Sequence, residues 1–414
     1  METYQQVQVS DPRLKIDALG VEIGVSRKKQ SFGALLPQVS INANVTSNTR
    51  RSEGFPIDHY SGKRYTLSIN QTVFDLQKLY AWQRSGAVLE EFEFHLSETE
   101  AVVRLDTIER YFALLQANDE LALVKEEHRA VQAKKDQTQA LYDKQLVKIT
   151  ELYEIIARLD KLESDEVDAV QQVSFAQESL SELTQQRVGS LARLIDGKEL
   201  VLSTGYLPDH TEHLITTNPT LKALKKSIKA AKLNLKQQKS GHYPVVGAQL
   251  SKQQSDIGFD NSTSRISDTE VAGLTLTMPI FSGGATSARV AEARQQLAIS
   301  KATFDQEHRK AVKELKDEFQ RVDGLSRRIK ANKKAVESAR KSYEAMDKSF
   351  NLMIATVTDV LDAQQVYLES KRSLKQALYD YIVSSVRLKY KIGILDDESV
   401  HKVNSWLDTE STDY

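Results

Sequence analysis

The two halves of this 414-residue chain carry the same punctuation about 207 residues apart, so a single architecture must account for both. Asp11-Pro12-Arg13-Leu14 returns as Asn218-Pro219-Thr220-Leu221, and Pro37 returns as Pro244. Leu67–Phe74 (LSINQTVF) returns as Leu274–Phe281 (LTLTMPIF) at the same ungapped offset. A period this long is not that of a solenoid, and it reads as a duplicated domain.

The seven prolines mark out the elements. Pro12 and Pro219 sit where a first helical turn tolerates them, and Pro37 and Pro244 end the segments that follow. Pro56 lies in a polar loop, Pro208 in the central linker, and Pro279 closes an alternating stretch. None falls between residues 75 and 200 or after 280. Proline costs about 3 kcal/mol inside a helix, so these two tracts are free to be helical over a great length. Each could reach about 100 Å at 1.5 Å per residue. In the first, Ala101, Leu105, Ile108, Phe112 and Leu115 form a heptad seam, and Tyr111, Leu114 and Leu121 form a second stripe. A helix with two seams has neighbours on two sides.

Between the helices the period changes from seven to two. Val39, Ile41, Ala43 and Val45 alternate with polar residues, as do Tyr65, Leu67, Ile69 and Val73 beyond a loop containing Gly54, Pro56 and Gly62. The second half repeats this with Val246, Ala248 and Leu250, then Ala272, Leu274, Leu276, Met278 and Ile280. Such alternation makes a strand with one apolar and one polar face, and the shared parity puts the same face outward in both halves. The predicted fold is mainly α with four β-strands per chain, as a duplicated helix, hairpin, long helix and return helix.

The first repeat is expected over 1–217, with strands at about 38–50 and 63–74, a long helix over 75–142, a return helix over 150–196 and a linker over 197–217. The second is expected over 218–414, with strands at 244–256 and 269–281, helices over 284–349 and 358–392, and a tail over 393–414. A lone amphipathic hairpin is marginal in water. It can cover a soluble core or belong to a membrane barrel with a wet lumen. The chain offers no further strands for a soluble partner layer. Lipid tolerates no free sheet edge, and four strands are too few to close a barrel. Copies of the chain are therefore expected to pool their strands in a homo-oligomer, with Val39, Ile41, Val45, Tyr65, Leu67, Ile69, Val246, Ala248, Leu274 and Leu276 facing lipid.

Composition excludes other classes. The net charge of -1 does not fit a nucleic-acid binder working through a basic surface. Without cysteine there is no thiol nucleophile or thiolate metal site. His210 and His213 lack further ligands, so no metal is expected. There is no phosphate loop or nucleophile elbow, so an enzyme is not expected. The basic cluster Lys222, Lys225, Lys226, Lys229 and Lys232 reads as a solvated helix face or a partner contact. No apolar run of 18 residues supports a transmembrane helix. Met1-Glu2-Thr3 does not open a signal peptide.

Several junctions carry a family resemblance. These are Leu36-Pro37-Gln38, Tyr243-Pro244-Val245, the passage Pro279-Ile280-Phe281-Ser282-Gly283-Gly284, and the run Thr358-Asp359-Val360-Leu361-Asp362-Ala363-Gln364 with Tyr367. Together with the layout they resemble the TolC family of outer-membrane channel proteins over nearly the whole chain. The resemblance implies a homotrimer whose pooled strands form a twelve-stranded barrel in the outer membrane of a Gram-negative cell. It also implies an α-helical tunnel across the periplasm, with an export signal already removed. The implied work is that of an exit duct in efflux or type I secretion, with a periplasmic adaptor and an inner-membrane transporter of the ABC or RND type as partners and no cofactor. A coiled-coil tether without a pore is the alternative, and it leaves the alternating segments without a purpose. A soluble periplasmic adaptor usually has one helical hairpin and a compact β module rather than two matching arrangements.

The resemblance also points to residues at the tunnel entrance. Asp359 and Asp362, three apart, share a helical face, and the matching family positions form carboxylate rings that favour cations. Thr356 three residues before Asp359 equally spells a capping box. Glu151, beside Thr150 in the first turn, matches a latch position. The family's tyrosine and arginine partners read Phe350 and Ala355 here, and its turn glycines read Gln145 and Met353. A different closure is therefore expected. The apolar run Phe350, Leu352, Met353 and Ile354 is a candidate seal or docking surface, or packing for the turn.

Overall fold

The computed structural model describes residues 1–51, 53–186, 189, 191–195, 207–257 and 263–408, and for residues 207–210, 213, 263 and 264 the backbone alone. In chain order the first half contains α1 (Glu2–Ser10), α2 (Pro12–Gly33), β1 (Gln38–Arg50), β2 (Asp58–Phe74), α3 (Leu76–Asp143), α4 (Ile149–Thr184) and β3 (Arg193–Leu194). The second contains α5 (Leu207–Thr217), α6 (Pro219–Lys239), a 3-10 turn (Ser240–His242), β4 (Val245–Ile257), β5 (Thr263–Thr277), α7 (Ala285–Asn351), α8 (Val357–Ile392), α9 (Asp397–Asn404) and β6 (Leu407–Asp408). The long helices have 68 and 67 residues, about 100 Å each. Proline opens both α2 and α6, where its missing N–H is harmless. Asp75 caps α3 by accepting from the N–H groups of Gln77 and Lys78 at 2.8 and 3.2 Å.

The chain gathers into two compact units, each drawing on both halves of the sequence. One holds residues 17–96 and 220–307, and the other holds 1–16, 97–219 and 308–414. The first unit contains a four-stranded antiparallel sheet in the order β1-β2-β4-β5. Its α6 is tied to α3 by Arg84 donating to Asn234 at 2.8 Å and by Lys226 and Lys229 on Glu90. Lys222 and Lys226 also lie 5.8 Å from the Phe94 ring centre. The lysine cluster is thus partly an internal anchor, while Lys225 and Lys232 are exposed.

In the second unit the predicted seam on α3 is buried. Phe112 and Leu115 pack with Ile382 and Val386 of α8 and with Trp406. Truncating a buried phenylalanine of this kind costs about 3–5 kcal/mol. Tyr379 reaches Asp119 at 2.6 Å and Arg387 reaches Glu109 at 2.6 Å, so polar ties flank the apolar seam. Beside it, Tyr4 of α1, Arg104 of α3 and Asp397 of α9 form a triangle with contacts of 2.6 to 2.9 Å.

Several segments differ from expectation. β2 begins at Asp58 rather than at 63, β5 runs over Thr263–Thr277 rather than 269–281 and so leaves Met278 and Ile280 outside it, and α4 stops at Thr184 rather than at 196. The stop follows from Gln185 in the left-handed region, with the Thr184 hydroxyl turned onto the carbonyl of Gln186 at 2.7 Å. The part of the expected linker from 207 onward is helix α5, and its residues 197–206 lie outside the described residues. The tail carries α9 and a two-residue ladder between β3 and β6, and its residues 409–414 lie outside the described residues.

One glycine locks these pieces together. Gly393 ends α8 at φ 87, a conformation costly for any side chain. A Cβ there would fall 2.6 Å from the Cα of Asn218 and 2.7 Å from the carbonyl of Thr217. That close approach lets the Thr217 hydroxyl donate to the carbonyl of Ile392 at 2.6 Å.

Candidate barrel sheet and entrance turns

Residues directly opposite in an antiparallel ladder share a face, so register decides which side chains stand together. Val39 faces Ile69, Ile41 faces Leu67 and Ala43 faces Tyr65. Ile69 faces Leu250, while Val246 faces Leu276 and Ala248 faces Leu274. Val45 faces Lys63 at the border of this patch. The ten positions expected to be lipid-facing therefore lie on one face of the sheet, and Ile41 and Leu274 are 79% and 77% exposed. The opposite face is polar, with the hydroxyls of Ser40 and Ser68 2.9 Å apart and Asn70 opposite Gln249.

Two features of the sheet lay beyond the alternation. A bulge between Thr72 and Phe74 makes Phe74, not Val73, the partner of Val246. The apolar band is also bounded, because Lys252 and Glu270 form an exposed 2.8 Å pair one step beyond Leu250 and Ala272. In the sheet order β1 and β5 are the edges, of 13 and 15 residues. Edges this long are a standing invitation to another strand.

The turns after the two long helices share one backbone solution. Leu146 N–H bonds to Leu141 O and Gln145 N–H to Tyr142 O, at 3.0 and 2.7 Å. Ile354 N–H bonds to Ser349 O and Met353 N–H to Phe350 O, both at 2.9 Å. These are Schellman caps, which place one residue in the left-handed region. That residue is Gln145 at φ 62 and Met353 at φ 58. The geometry that glycine favours is thus kept without glycine. The apolar run at the second turn divides. Phe350 is buried with Val131, Ile155, Leu159 and Val360, under the Lys134 ammonium 4.5 Å from its ring centre. Leu352, Met353 and Ile354 stay 69%, 57% and 78% exposed, while Ala355 is half-buried.

Asp359 and Asp362 are both exposed on the first turns of α8. Asp359 also completes the capping box. Its carboxylate accepts from the Thr356 N–H at 2.9 Å and the Thr356 hydroxyl at 2.7 Å, and its own N–H reaches Thr356 Oγ1 at 3.3 Å. The Thr356 hydroxyl and N–H hold its carboxyl below the usual range, so Asp359 is charged at neutral pH. Thr150 is exposed at the start of α4 and Glu151 is half-buried.

The contacts that join α4 to α8 come one and two turns further along. Glu154 accepts from the Thr358 hydroxyl, and Arg158 donates to Gln365 at 2.6 Å. Beneath them Glu127 of α3, whose side chain is 4% exposed, holds Arg158 at 3.1 Å and Arg372 of α8 at 3.0 Å. Burial works against the Arg372 charge, but Glu120 and Glu127 outweigh it and keep the guanidinium pKa raised. Sequence reasoning missed this clamp, because a buried Glu127 reads in the sequence like any solvated charge of a long helix.

Among the described residues no acid or histidine cluster could hold a metal, and no helix is long and apolar enough to cross a membrane. The side chains of His210 and His213 lie outside the description.

The profile of the family described as "Outer membrane efflux protein" matches residues 212–393. The chain is 25% identical to outer membrane protein TolC of Salmonella enteritidis, over 98% of this chain and 84% of that protein. It is 24% identical to the alkaline protease secretion protein AprF of Pseudomonas aeruginosa, over 97% of this chain and 86% of that protein. Among solved structures, the CmeC outer membrane channel of Campylobacter jejuni superposes with a TM-score of 0.85 at 14% identity, covering 99% of this chain and 90% of that one.

Proposed function

The chain belongs to the TolC family of outer-membrane channel proteins, and on that premise we propose that three copies form the exit duct of an efflux or type I secretion system. The observation that carries this reading is the sheet, greasy on one face and wet on the other, with two long unpaired edges in one chain. Joining β5 of one copy to β1 of the next repeats head to tail until the ring closes. Closure removes every edge, as lipid demands. Substrate would pass along the polar lumen face, while Val39, Ile41, Leu274 and Leu276 meet acyl chains.

In this reading Asp359 and Asp362 serve as acidic rings at the entrance, where six carboxylates near one axis would select cations. Asp359 caps its helix as well. Glu154, Arg158 and buried Glu127 take over the latch that Glu151, Phe350 and Ala355 do not supply through the family's usual pairing. Exposed Leu146, Leu352, Met353 and Ile354 offer an apolar surface to a periplasmic adaptor, and the inner-membrane transporter would set the substrate.

The test begins with native mass after detergent extraction from outer membranes. Three chains per particle are expected, and a monomer stable in plain buffer would refute the duct. Planar-bilayer recording of Asp359→Asn with Asp362→Asn should then show reduced cation selectivity. Unaltered selectivity would leave Asp359 its capping role alone.

A further inference from the structure

Where the helices meet the sheet, the chain gathers positive charge. The eleven residues nearest the sheet on α2, α3, α6 and α7 are 23–33, 76–86, 229–239 and 285–295. Together they hold eleven lysines and arginines and one acid, Glu292, although the net charge of the whole chain is -1. Asp75, just beside them, is committed to capping α3. Contacts within this unit keep the segments at one level. Phe32 of α2 and Trp82 of α3 lie 5.8 Å apart between ring centres, Lys236 of α6 lies 5.7 Å from the Tyr80 ring centre, and Gly241 sits against Gln77 and Thr286.

The charge is densest on α6, which has seven lysines and no acid. Lys225, Lys229, Lys232, Lys236 and Lys239 are spaced four, three, four and three apart and are all exposed, so they form one stripe. Glu90 engages Lys229 at 3.2 Å, and the other four have no ion-pair partner among the described residues. Like charges at this spacing destabilise a helix unless an outside anion offsets them. The first repeat puts exposed Arg27, Lys28 and Lys29 at the same end of α2, Lys29 being 207 residues before Lys236.

Exposure shows which side the stripe takes. On β4 the apolar-side residues Leu250, Lys252 and Gln254 are exposed, while Ser251, Gln253 and Ser255 on the polar side are half-buried or buried. That asymmetry is what curvature round the polar side produces. α6 repeats it, with the lysines exposed and Ser227, Asn234 and Gln238 opposite them half-buried. The stripe therefore continues the sheet's apolar side. Exposed Tyr243 and Phe281 stand between this belt and the apolar band, at the level where such rings meet lipid headgroups.

We infer that the belt binds the membrane leaflet that adjoins the helices, with Lys232, Lys236 and Lys239 seated on the phosphates of anionic phospholipids. The lysine stems lie along the protein and their ammonium groups reach the headgroups. This inference rests on the barrel reading, and it adds a lipid preference to it.

The test titrates detergent-extracted trimers with phosphatidylglycerol and, separately, with phosphatidylcholine, and counts bound lipid by native mass. The wild type is expected to favour phosphatidylglycerol, and the preference should fade at about 1 M salt, where the Debye length is about 3 Å. Lys232→Gln, Lys236→Gln and Lys239→Gln together should lower it at least about five-fold, the scale of one lysine beside an anionic leaflet. The corresponding triple arginine variant should keep it. Lys225→Gln should leave it unchanged, because that residue lies about 21 Å further along α6 from the sheet than Lys239, beyond a Debye length of about 8 Å. A trimer without the preference, an equal loss in Lys225→Gln, or displacement of the lipid by inorganic phosphate at matched ionic strength would overturn the inference and leave the barrel standing. A wild-type monomer would instead remove the barrel reading beneath it.

Discussion

Glu127→Gln isolates the clamp beneath the entrance turns, because it removes one charge without opening a cavity. Two guanidinium groups approach the native carboxylate at 3.1 and 3.0 Å, and its side chain is 4% exposed. Removing one partner of a fully buried pair costs about 3–5 kcal/mol. The arginines here are 23% and 28% exposed, and each keeps another acceptor, Gln365 at 2.6 Å and Glu120 at 2.8 Å. The expected loss is therefore about 2–3 kcal/mol. Glu126→Gln is the control, since its 3.2 Å pair with Lys371 is 56% exposed on the acid side and should contribute under about 1 kcal/mol. Urea unfolding in detergent, followed by the fluorescence of buried Trp406 in a Trp82→Phe background, reports on the unit that holds the clamp. At constant slope, the midpoint of Glu127→Gln should fall clearly below that of Glu126→Gln. Coincident midpoints would refute the clamp. If the clamp holds the entrance closed, Glu127→Gln should also raise single-channel conductance.

Two further outcomes are expected. Gln145→Gly and Met353→Gly relieve left-handed backbone at φ 62 and 58 and should each stabilise the protein by about 0.5–1 kcal/mol; lower thermal midpoints in both would show that these turns carry no such strain. At the α1–α9 triangle, the Tyr4 hydroxyl and then Arg104 hold the Asp397 carboxyl below its usual range, while burial and the Asp397 hydrogen bond push Tyr4 up to about 12. The Asp397 contribution is present above about pH 3.9 and lost as pH falls through its lower folded value. That of Tyr4 is present below about pH 10 and lost as pH rises toward 12. Asp397→Asn should flatten the acid limb of a stability profile below about pH 4, and an unchanged limb would place the acid sensitivity elsewhere.

The helices and the sheet were legible because each has a period that side-chain chemistry writes plainly. Ala101 to Leu115 spell a heptad, and Val39 to Val45 spell a strand. The bulge at Thr72 to Phe74 was not, since Val73 continues the alternation and only pairing with Val246 exposes the slip. Nor were α9 and the β3–β6 ladder, which are too short to establish a period and depend on Trp406 and Val403 packing against the long helices. At the turns, the missing glycines at 145 and 353 pointed to altered geometry, yet the Schellman hydrogen bonds keep it. Phe350 could be read as core or as an exposed seal until neighbours from α3, α4 and α8 were seen around it. Glu127 carries no local mark of burial, because its two arginines are 31 and 245 residues away.

In the proposed ring, the unmatched rims of the sheet would make assembly unforgiving of a single faulty member. A copy with a sound β1 rim and a β5 rim blocked by proline can join one neighbour but offers nothing to the next. Such a copy would act as a terminator, stranding partly built arcs whose oily faces have no seam to close. One poor chain in three would then disable its sound companions, and impairment in a mixed population would exceed the faulty fraction.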